Sequence, residues 1–443
     1  MRTVSSLLNA VIGLFTVVAL LSYSAKVNAD DTHKNPVSHS LASQPPVSQS
    51  LSYGHVFEHQ SQIFAAKRRY MVALPERYHM QIPGTQRHYS VLYVIDGDFQ
   101  FRHVSAAAHT LARMGKIPPL IVVGIAMQGQ KDYLYANTWE SEKEGSEFGG
   151  SDKLQAYLSQ ELIPLIDSEY RTTDAKALSG YSLGGLFTLY SMMQESTPFN
   201  VFLAFSPSAW YDGNNIEQQL QRFLKTKPKT ELFMTLANEK GMGVAELDKL
   251  FSAHTDQNLR YGYQVFADET HYSTAMPSIV AGLEFLAPNY YVDLDPMLEF
   301  ADYQALLAHF KRKQSQWAGF RFDWLQAYHL AKYLFRSKQH TKVDQVLAAI
   351  QQDFPESYLE VVIAFSKGFV ATKDPQKSLQ ILKHVSAQGE HHPNWHQQMS
   401  KTYEALDNSR LAKQHHQQAV KLAKQYQYES WDYWELAPDA FTD

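Results

Sequence analysis

A serine framed by two glycines is the first group in this sequence that could carry out covalent chemistry. Residues 177–187 read ALSGYSLGGLF, so Ser182 stands two residues after Gly180 and two residues before Gly184. This G-x-S-x-G spacing is typical of a nucleophile elbow, a sharp strand-to-helix turn that exposes a serine hydroxyl while the glycines let the strand and the helix approach each other. We therefore predict that Ser182 is a catalytic nucleophile.

Attack by a serine on a carbonyl creates a negatively charged oxygen, which needs hydrogen-bond donors. The backbone N–H of Leu183 begins the helix that follows the turn, where the helix dipole and the free donors favour an anion. A second donor is expected from the loop after the strand-like segment VLYVIDGDFQF, which contains Gly97 and Asp98. The predicted oxyanion hole therefore draws on Leu183, Gly97 and Asp98.

The serine also needs a base and an orienting acid, which in this arrangement follow in the chain order serine, acid, histidine. His271 comes just after a late strand pattern, YGYQVFA, and we predict that it is the base, whereas His254 is expected on a solvated helix face. The acid should lie after the strand pattern ELFMTLA. Glu239 is preferred because it is nearest the carboxyl end of that strand, with Glu246 and Asp248 as alternatives.

These residues require a frame that brings loops from distant parts of the chain together. Short apolar runs, typical of strands buried on both faces, occur at YSVLYVID and LIVVGIAM, and further strand patterns occur at IFAAKRRYMVALP and VFLAFS. The segment DKLQAYLSQELIPLIDSEY has apolar residues at helical spacing, behind Ser151 and Asp152 as expected caps. The alternation of strands and helices predicts an α/β domain with a mostly parallel, doubly wound sheet over residues 53–290.

Composition excludes several classes of function. The 40 Lys and Arg residues are balanced by 45 Asp and Glu residues, which gives a formal net charge of −5, and the sequence has no long run of either sign, so nothing in it indicates a nucleic-acid partner. The chain has no cysteine, so disulfides, thiolate metal sites and a cysteine nucleophile are excluded. The predicted chemistry requires no metal and no organic cofactor.

The N-terminal residues have the pattern of a secretion signal. Arg2 precedes an apolar segment from Leu7 to Leu21, and the small residues Val27 and Ala29 fit a cleavage site after Ala29. We predict a signal peptide over residues 1–29, a flexible leader over residues 30–52 that is rich in Ser, Pro, Gln and Asn, and a periplasmic location without stable membrane insertion.

Residues 296–443 lose the strand patterns and carry helical patterns to the end of the chain. Tyr403, Ala412 and Ala419 have the spacing of a tetratricopeptide unit, and two earlier segments echo it at a period of about 34 residues. Such repeats commonly bind a protein or peptide on a concave face, and the alternative is that they brace the hydrolase or a dimer. Four paired histidines are expected on solvated faces, away from any metal site: His391, His392, His415 and His416.

Taken together, the segments from about residue 53 to 290 resemble the putative esterase family of α/β-hydrolases. That family contains esterase D-like enzymes and the siderophore esterases that open enterobactin-type and bacillibactin-type trilactones. The resemblance is carried, in order, by RRYMVALPERY, LYVIDGDFQF, IVVGIAM, ELIPLIDSEYRT, LSGYSLGGLFTLY and AFSPSAWYDG. It implies an α/β-hydrolase fold, with Ser182 as nucleophile, His271 as base and the Gly97/Asp98 loop as an oxyanion element.

The resemblance also implies that the segment around residues 206–210 walls the site, so Ser208 and Trp210 are expected to contact substrate. Tyr181, which precedes the predicted nucleophile, is expected to contact substrate as well. The chain departs from the family pattern in QGQKDYLYANTW, where only Lys131 stands in the region that carries an arginine in many members, and in the acid loop LANEKGMG.

The resulting prediction is a serine hydrolase that cleaves a small carboxylic ester, such as a siderophore ester, through an acyl-enzyme. Transfer of the acyl group to a sugar or alcohol is an alternative on the same residues. A binding or scaffold protein that has lost activity and uses its helical repeats is an alternative of another class.

Overall fold

A mixed eight-stranded sheet forms the centre of the computed structural model, which describes residues 52–84, 86–254, 256–316 and 320–437. The predicted signal peptide and all but the last residue of the predicted leader lie outside these described residues. The strands are β1 (His55–Ser61), β2 (Ala66–Ala73), β3 (Tyr89–Ile95), β4 (Ile121–Ile125), β5 (Thr172–Tyr181), β6 (Val201–Phe205), β7 (Thr230–Ala237) and β8 (Leu259–Phe266).

The strands lie in the order β1-β2-β4-β3-β5-β6-β7-β8, and β3 to β8 are parallel while β1 and β2 pair antiparallel at one edge. β4 is buried along its whole length, as its continuous apolar run predicts. The predicted α/β-hydrolase fold with a mostly parallel, doubly wound sheet is therefore confirmed.

The segment IFAAKRRYMVALP forms a strand only from Ala66 onward. Its first residues form the turn of a hairpin with β1, in which Ala65 has a positive φ of 52° and donates its N–H to the Gln62 carbonyl at 3.3 Å. The apolar pattern does not reveal this turn, because a non-glycine residue at positive φ is uncommon and leaves no strong sequence signal.

Helices cover both faces of the sheet and continue beyond it. They are α1 (Gly97–Arg113), α2 (Gln130–Ala136), α3 (Ser151–Tyr157), α4 (Ile163–Glu169), α5 (Leu183–Met192), α6 (Tyr211–Leu224), α7 (Val244–Ser252), α8 (Ala275–Leu286), α9 (Leu294–Leu298), α10 (Tyr303–Gln316), α11 (Trp324–Arg336), α12 (Val343–Asp353), α13 (Tyr358–Ala371), α14 (Pro375–His384), α15 (Ser386–Gly389), α16 (Pro393–Glu404), α17 (Ser409–Gln425) and α18 (Ser430–Leu436). Among the described residues, no helix is both long and apolar enough to span a membrane.

The predicted caps of the helix in the segment from 152 to 170 are wrong by one and two residues. Gly150 is the N-cap, so Ser151 and Asp152 already belong to the first turn and neither side chain caps it. Asp152 instead accepts a hydrogen bond from the Tyr190 hydroxyl on α5. A five-residue π-helical turn over Leu158–Leu162 joins α3 to α4 without interrupting the helix.

One core continues from the sheet into the C-terminal helices. Phe101 on α1 and Leu283 on α8 belong to the same buried cluster as Phe322 before α11 and Phe365 on α13. The C-terminal helices therefore support α1, which begins at the predicted oxyanion loop, and α8, which follows the predicted base. The domain limits near residues 290 and 296 and the tetratricopeptide character of the helices remain predictions.

The predicted solvated setting is wrong for His392. Its side chain is buried, and its Nε2 lies 3.0 Å from a carboxylate oxygen of Glu360. Glu360 belongs to α13 and His392 precedes α16, so the contact joins two helices that are distant in sequence. The spacing of the histidines alone does not reveal such a contact.

Candidate active site

Ser182 lies at a strained turn between β5 and α5. Its φ of 59° and ψ of −119° place it in a backbone region that costs a non-glycine residue on the order of 1–3 kcal/mol. Three hydrogen bonds hold the turn: Ser182 N–H donates to the Phe205 carbonyl at 3.0 Å, and the Ser182 carbonyl accepts from Leu186 and from Ser208, each at 3.0 Å. Neighbouring elements therefore maintain the strain, and the hydroxyl projects from the carboxyl end of the sheet.

The two glycines of the motif are required by close backbone contacts. A Cβ added to Gly180 would lie 2.0 Å from the Gly184 carbonyl oxygen, which belongs to the first turn of α5. A Cβ added to Gly184 would lie 3.0 Å from the Ile95 side chain at the end of β3. Glycines are therefore required at these two positions because β5, α5 and β3 pack closely around the serine.

The structure brings Ser182, His271 and Glu239 together in one hydrogen-bonded chain. Nε2 of His271 lies 3.0 Å from the Ser182 hydroxyl, and Nδ1 of His271 lies 2.6 Å from a carboxylate oxygen of Glu239. The loops that carry Glu239 and His271 are joined by a hydrogen bond from Asn238 N–H to the Glu269 carbonyl at 2.8 Å. This is the geometry of a serine, base and acid relay.

The two alternative acids are not part of this chain. Asp248 accepts a hydrogen bond of 3.0 Å from the Tyr261 hydroxyl on β8, and Glu246 lies in the first turn of α7. The Glu239 side chain instead turns back over the end of β7, where its second oxygen accepts from the Ala237 N–H at 3.2 Å.

Two of the three predicted substrate-contacting residues, Ser208 and Tyr181, lie against the serine and the histidine. The Ser208 hydroxyl lies 3.2 Å from the Ser182 hydroxyl, and the Tyr181 ring lies 5.1 Å from the His271 ring, centroid to centroid. Trp210 is 41% exposed, so it is not a core aromatic residue. Tyr272, beside His271, is 90% exposed and adds a second aromatic surface that the sequence did not single out.

The predicted oxyanion loop lies at the end of β3. Asp96 has a left-handed backbone with φ of 58°, and α1 begins immediately afterwards at Gly97. A Cβ on Gly97 would lie 2.8 Å from the Gly124 backbone, so a glycine is needed there for β3 and β4 to stay paired. The Asp98 carboxylate forms an ion pair of 3.2 Å with Arg69. The group of Asp98 that remains a candidate donor to an oxyanion is therefore its backbone N–H.

Tyr133 on α2 is a site residue that the sequence analysis missed. Its hydroxyl donates to the Tyr181 carbonyl at 3.2 Å. The same phenol oxygen lies near the Ser182 hydroxyl and near the backbone N–H groups of Leu183 and Gly184. The signal that could have found it is the acidic and aromatic pair Asp132-Tyr133, which follows the departure from the family pattern at Lys131.

Burial shapes the electrostatics around the serine. It raises the pKa of Tyr133 to about 12, with the nearby Asp96 carboxyl adding to the rise and the surrounding donors opposing it. Burial and the neighbouring Asp98 also raise the pKa of Asp96 to about 6. The Tyr133 phenol therefore keeps its proton at neutral pH and remains a hydrogen-bond donor.

Among the described residues, one group has the composition of a metal site, and it includes none of Ser182, His271 and Glu239. Possible ligand atoms of Glu76, His109 and Glu429 all lie within 4.8 Å of one another. However, the same Glu76 oxygen lies 2.6 Å from the Arg113 guanidinium and 2.7 Å from Nε2 of His109. These ion pairs join α1 to the loop after β2 and account for the cluster without a metal.

The sequence of this chain is similar to a family of esterases and to individual bacterial proteins. Residues 61–241 match the sequence model of a family described as Putative esterase. The uncharacterized protein YbbA of Bacillus subtilis (strain 168) is 26% identical over 196 residues, which cover 42% of this chain and 73% of the relative. The ferri-bacillibactin esterase BesA of the same organism is 22% identical over 226 residues, which cover 44% of this chain and 78% of the relative.

A solved structure shares the fold. The crystal structure of an IroE-like serine hydrolase from Shewanella oneidensis aligns with a TM-score of 0.55 and 24% identity, covering 68% of this chain and 99% of the other. Because the identity is low, this likeness concerns the arrangement of strands and helices.

Proposed function

Because residues 61–241 match the sequence model of the family described as Putative esterase, we propose that this protein is a carboxylic ester hydrolase that works through Ser182, His271 and Glu239. The observation that carries the proposal is the hydrogen-bonded chain from the Ser182 hydroxyl through both nitrogens of His271 to Glu239. A hydroxyl at its ordinary pKa is a weak nucleophile, and an adjacent imidazole held in one tautomer by a carboxylate is what activates it.

In the proposed mechanism His271 Nε2 takes the hydroxyl proton while Ser182 Oγ bonds to the ester carbonyl carbon. Glu239 accepts a hydrogen bond from His271 Nδ1 and stabilises the imidazolium that forms. When the carbonyl re-forms, the bond to the leaving alcohol breaks and the alcohol takes its proton from His271. A water molecule then repeats the sequence on the acyl-serine, which releases the acid and restores the hydroxyl.

We further propose that the substrate is a siderophore-type ester. The support is the relationship to BesA, whose name describes it as a ferri-bacillibactin esterase, together with two exposed aromatic residues, Tyr272 next to His271 and Trp210 two residues after Ser208. Exposed aromatic rings at a catalytic mouth suit flat aromatic groups of a large substrate. A periplasmic location is part of the same proposal and depends on the signal pattern of residues 1–29.

Labelling with a fluorophosphonate probe tests the proposal, because the probe reacts with an activated serine. We expect the wild-type protein to be labelled and Ser182→Ala to remain unlabelled. The matched control is Ser168→Ala, which removes an exposed hydroxyl on α4 and should keep the label. An unlabelled wild-type protein, or equal labelling of Ser182→Ala, would refute the assignment.

A substrate panel tests the ester class. Short p-nitrophenyl esters, feruloyl esters and catecholate trilactones should be compared on wild-type protein, with Ser182→Ala as the blank. The proposal expects the trilactones to give the highest kcat/KM. A preference for feruloyl or simple esters of tenfold or more would contradict the siderophore class while leaving the hydrolase intact.

A further inference from the structure

The Tyr133 hydroxyl lies near the Ser182 hydroxyl and near the start of α5. The N–H groups of Leu183 and Gly184 open α5, and the first N–H groups of a helix have no acceptor within the helix. The phenol oxygen of Tyr133 lies near both of these groups and near the Ser182 hydroxyl. Backbone donors and a side-chain donor thus border one small region beside the nucleophile.

The hydrogen bonds of Tyr133 show how this donor could be used. Its O–H donates to the Tyr181 carbonyl at a distance of 3.2 Å, which is long for a bond between oxygens. Tyr181 is the residue immediately before the nucleophile, so a small rotation of the O–H about the C–O bond redirects it from that carbonyl toward an oxygen bound at Leu183. The phenol remains protonated at neutral pH, so the proton is available for donation.

The position of Tyr133 is fixed by a partly buried ion pair one residue away. Asp132 lies 2.9 Å from the guanidinium of Arg68, whose side chain is 3% exposed, and also accepts from the Gln128 N–H at 2.9 Å. These contacts attach the start of α2 to β2. A donor that is held in place before the reaction stabilises developing charge without a reorganisation cost.

We propose that the Tyr133 hydroxyl is a side-chain donor of the oxyanion hole and acts together with the Leu183 N–H. This inference rests on the proposed function, because it concerns the oxygen of an ester attacked by Ser182. It assigns a catalytic residue outside the serine, histidine and glutamate set, and it adds a side chain to a hole that the sequence predicts from backbone groups alone.

The test is the steady-state hydrolysis of p-nitrophenyl acetate and p-nitrophenyl butyrate by Tyr133→Phe. Phenylalanine keeps the ring and removes only the donor. Since the bond to the oxygen strengthens in the transition state, we expect kcat to fall about 100-fold for both esters while KM changes less than threefold. The control is Tyr135→Phe, on the same helix, whose ring packs against Gly150 and should leave kcat within twofold.

A second measurement separates a donor from a merely structural role. A trifluoromethyl ketone forms a tetrahedral adduct whose oxygen occupies the oxyanion hole. Its inhibition constant should rise by the same factor by which kcat/KM falls in Tyr133→Phe, while the melting temperature changes little. Should Tyr133→Phe not fold, Tyr133→Leu also removes the donor, and because it removes the ring as well its control is Tyr135→Leu on the same helix.

The outcomes distinguish this inference from the proposed function. A fall in kcat of less than tenfold, or a rise, with activity that still depends on Ser182, overturns the role of Tyr133 and leaves the hydrolase standing. Hydrolysis by wild-type protein that persists in Ser182→Ala overturns the proposed function and this inference with it.

Discussion

Arg68 on β2 and Asp132 on α2 form a partly buried ion pair, with 2.9 Å between guanidinium and carboxylate. The Arg68 side chain also donates to the Ala126 carbonyl at 3.3 Å and lies over the Phe64 ring, 4.3 Å from its centroid. The pair therefore connects the hairpin edge of the sheet to the helix that carries Tyr133.

Removing the negative partner of this pair should destabilise the fold. Asp132→Asn leaves the Arg68 charge buried and uncompensated, and we expect a loss of about 3 kcal/mol in the free energy of unfolding. The matched control is Glu58→Gln, whose partner Lys67 is 73% exposed and whose loss should cost below about 1 kcal/mol. Urea denaturation measures both, and equal effects would contradict the anchoring role.

Glu239 is expected to matter through the orientation of His271. Glu239→Gln keeps the size of the side chain but favours the wrong tautomer of the imidazole, so kcat should fall by about 10²- to 10⁴-fold with KM little changed. Asp248→Asn, the alternative acid, should stay within about twofold because its carboxylate binds Tyr261. Comparable losses in the two variants would argue against the assignment of the acid.

The close contact at the elbow predicts a strong effect of one added methyl group. Gly180→Ala would place a Cβ 2.0 Å from the Gly184 carbonyl, a backbone atom that cannot move without displacing α5. We expect loss of activity and a loss of about 3 kcal/mol or more in stability. In Gly145→Ala the nearest atoms belong to the flexible Glu147 side chain, so this control should be close to neutral. Thermal melting of both variants checks the contrast.

The raised pKa of Asp96 should make the free energy of unfolding depend on pH. Its pKa is raised from the ordinary value of 3.8 to about 6 in the folded protein, so between these values the folded state holds more protons than the unfolded state. Stability contributed by this group therefore falls as the pH rises through that window. Asp96→Asn removes the buried charge and should gain about 2 kcal/mol over wild type at pH 7.5, with little gain near pH 3.5.

The control for Asp96 is Asp174→Asn, at an exposed position on β5, which should change stability by below about 0.5 kcal/mol at both pH values. Asparagine tolerates the left-handed backbone at position 96, so the comparison is not confounded by strain. A gain for Asp96→Asn that is independent of pH would refute the electrostatic cause.

The continuous core predicts that the C-terminal helices and the active site unfold together. Phe322 is fully buried, with ring centroids 4.7 Å from Phe310 and 4.9 Å from Phe354. Phe322→Ala should cost about 3–5 kcal/mol and should shift the loss of helical circular dichroism and the loss of esterase activity to the same lower temperature. Two separate transitions would mean that the helices form an independent unit.

Local patterns in the sequence were sufficient to locate most of the strands and the strand-to-helix turn that carries Ser182. The apolar runs of β3 and β4 and the glycine spacing around Ser182 are set by which residues a buried strand or a tight turn can accept. These constraints act within a few residues, so they leave a direct mark on the sequence. The same patterns did not locate the Gly150 cap or the turn before Ala66, where backbone conformation and not side-chain type decides.

The tertiary structure alone decided which side chains meet. Glu239, Glu246 and Asp248 follow the same strand, and only the fold of the loop places Glu239 against His271 while Asp248 turns toward β8. Tyr133 lies 49 residues before Ser182 in the sequence. The two residues meet because Tyr133 follows β4 and Ser182 follows β5, and these two strands lie on either side of β3 in the sheet. Contacts between loops depend on strand order and on the packing of whole elements, which no short segment of sequence encodes by itself.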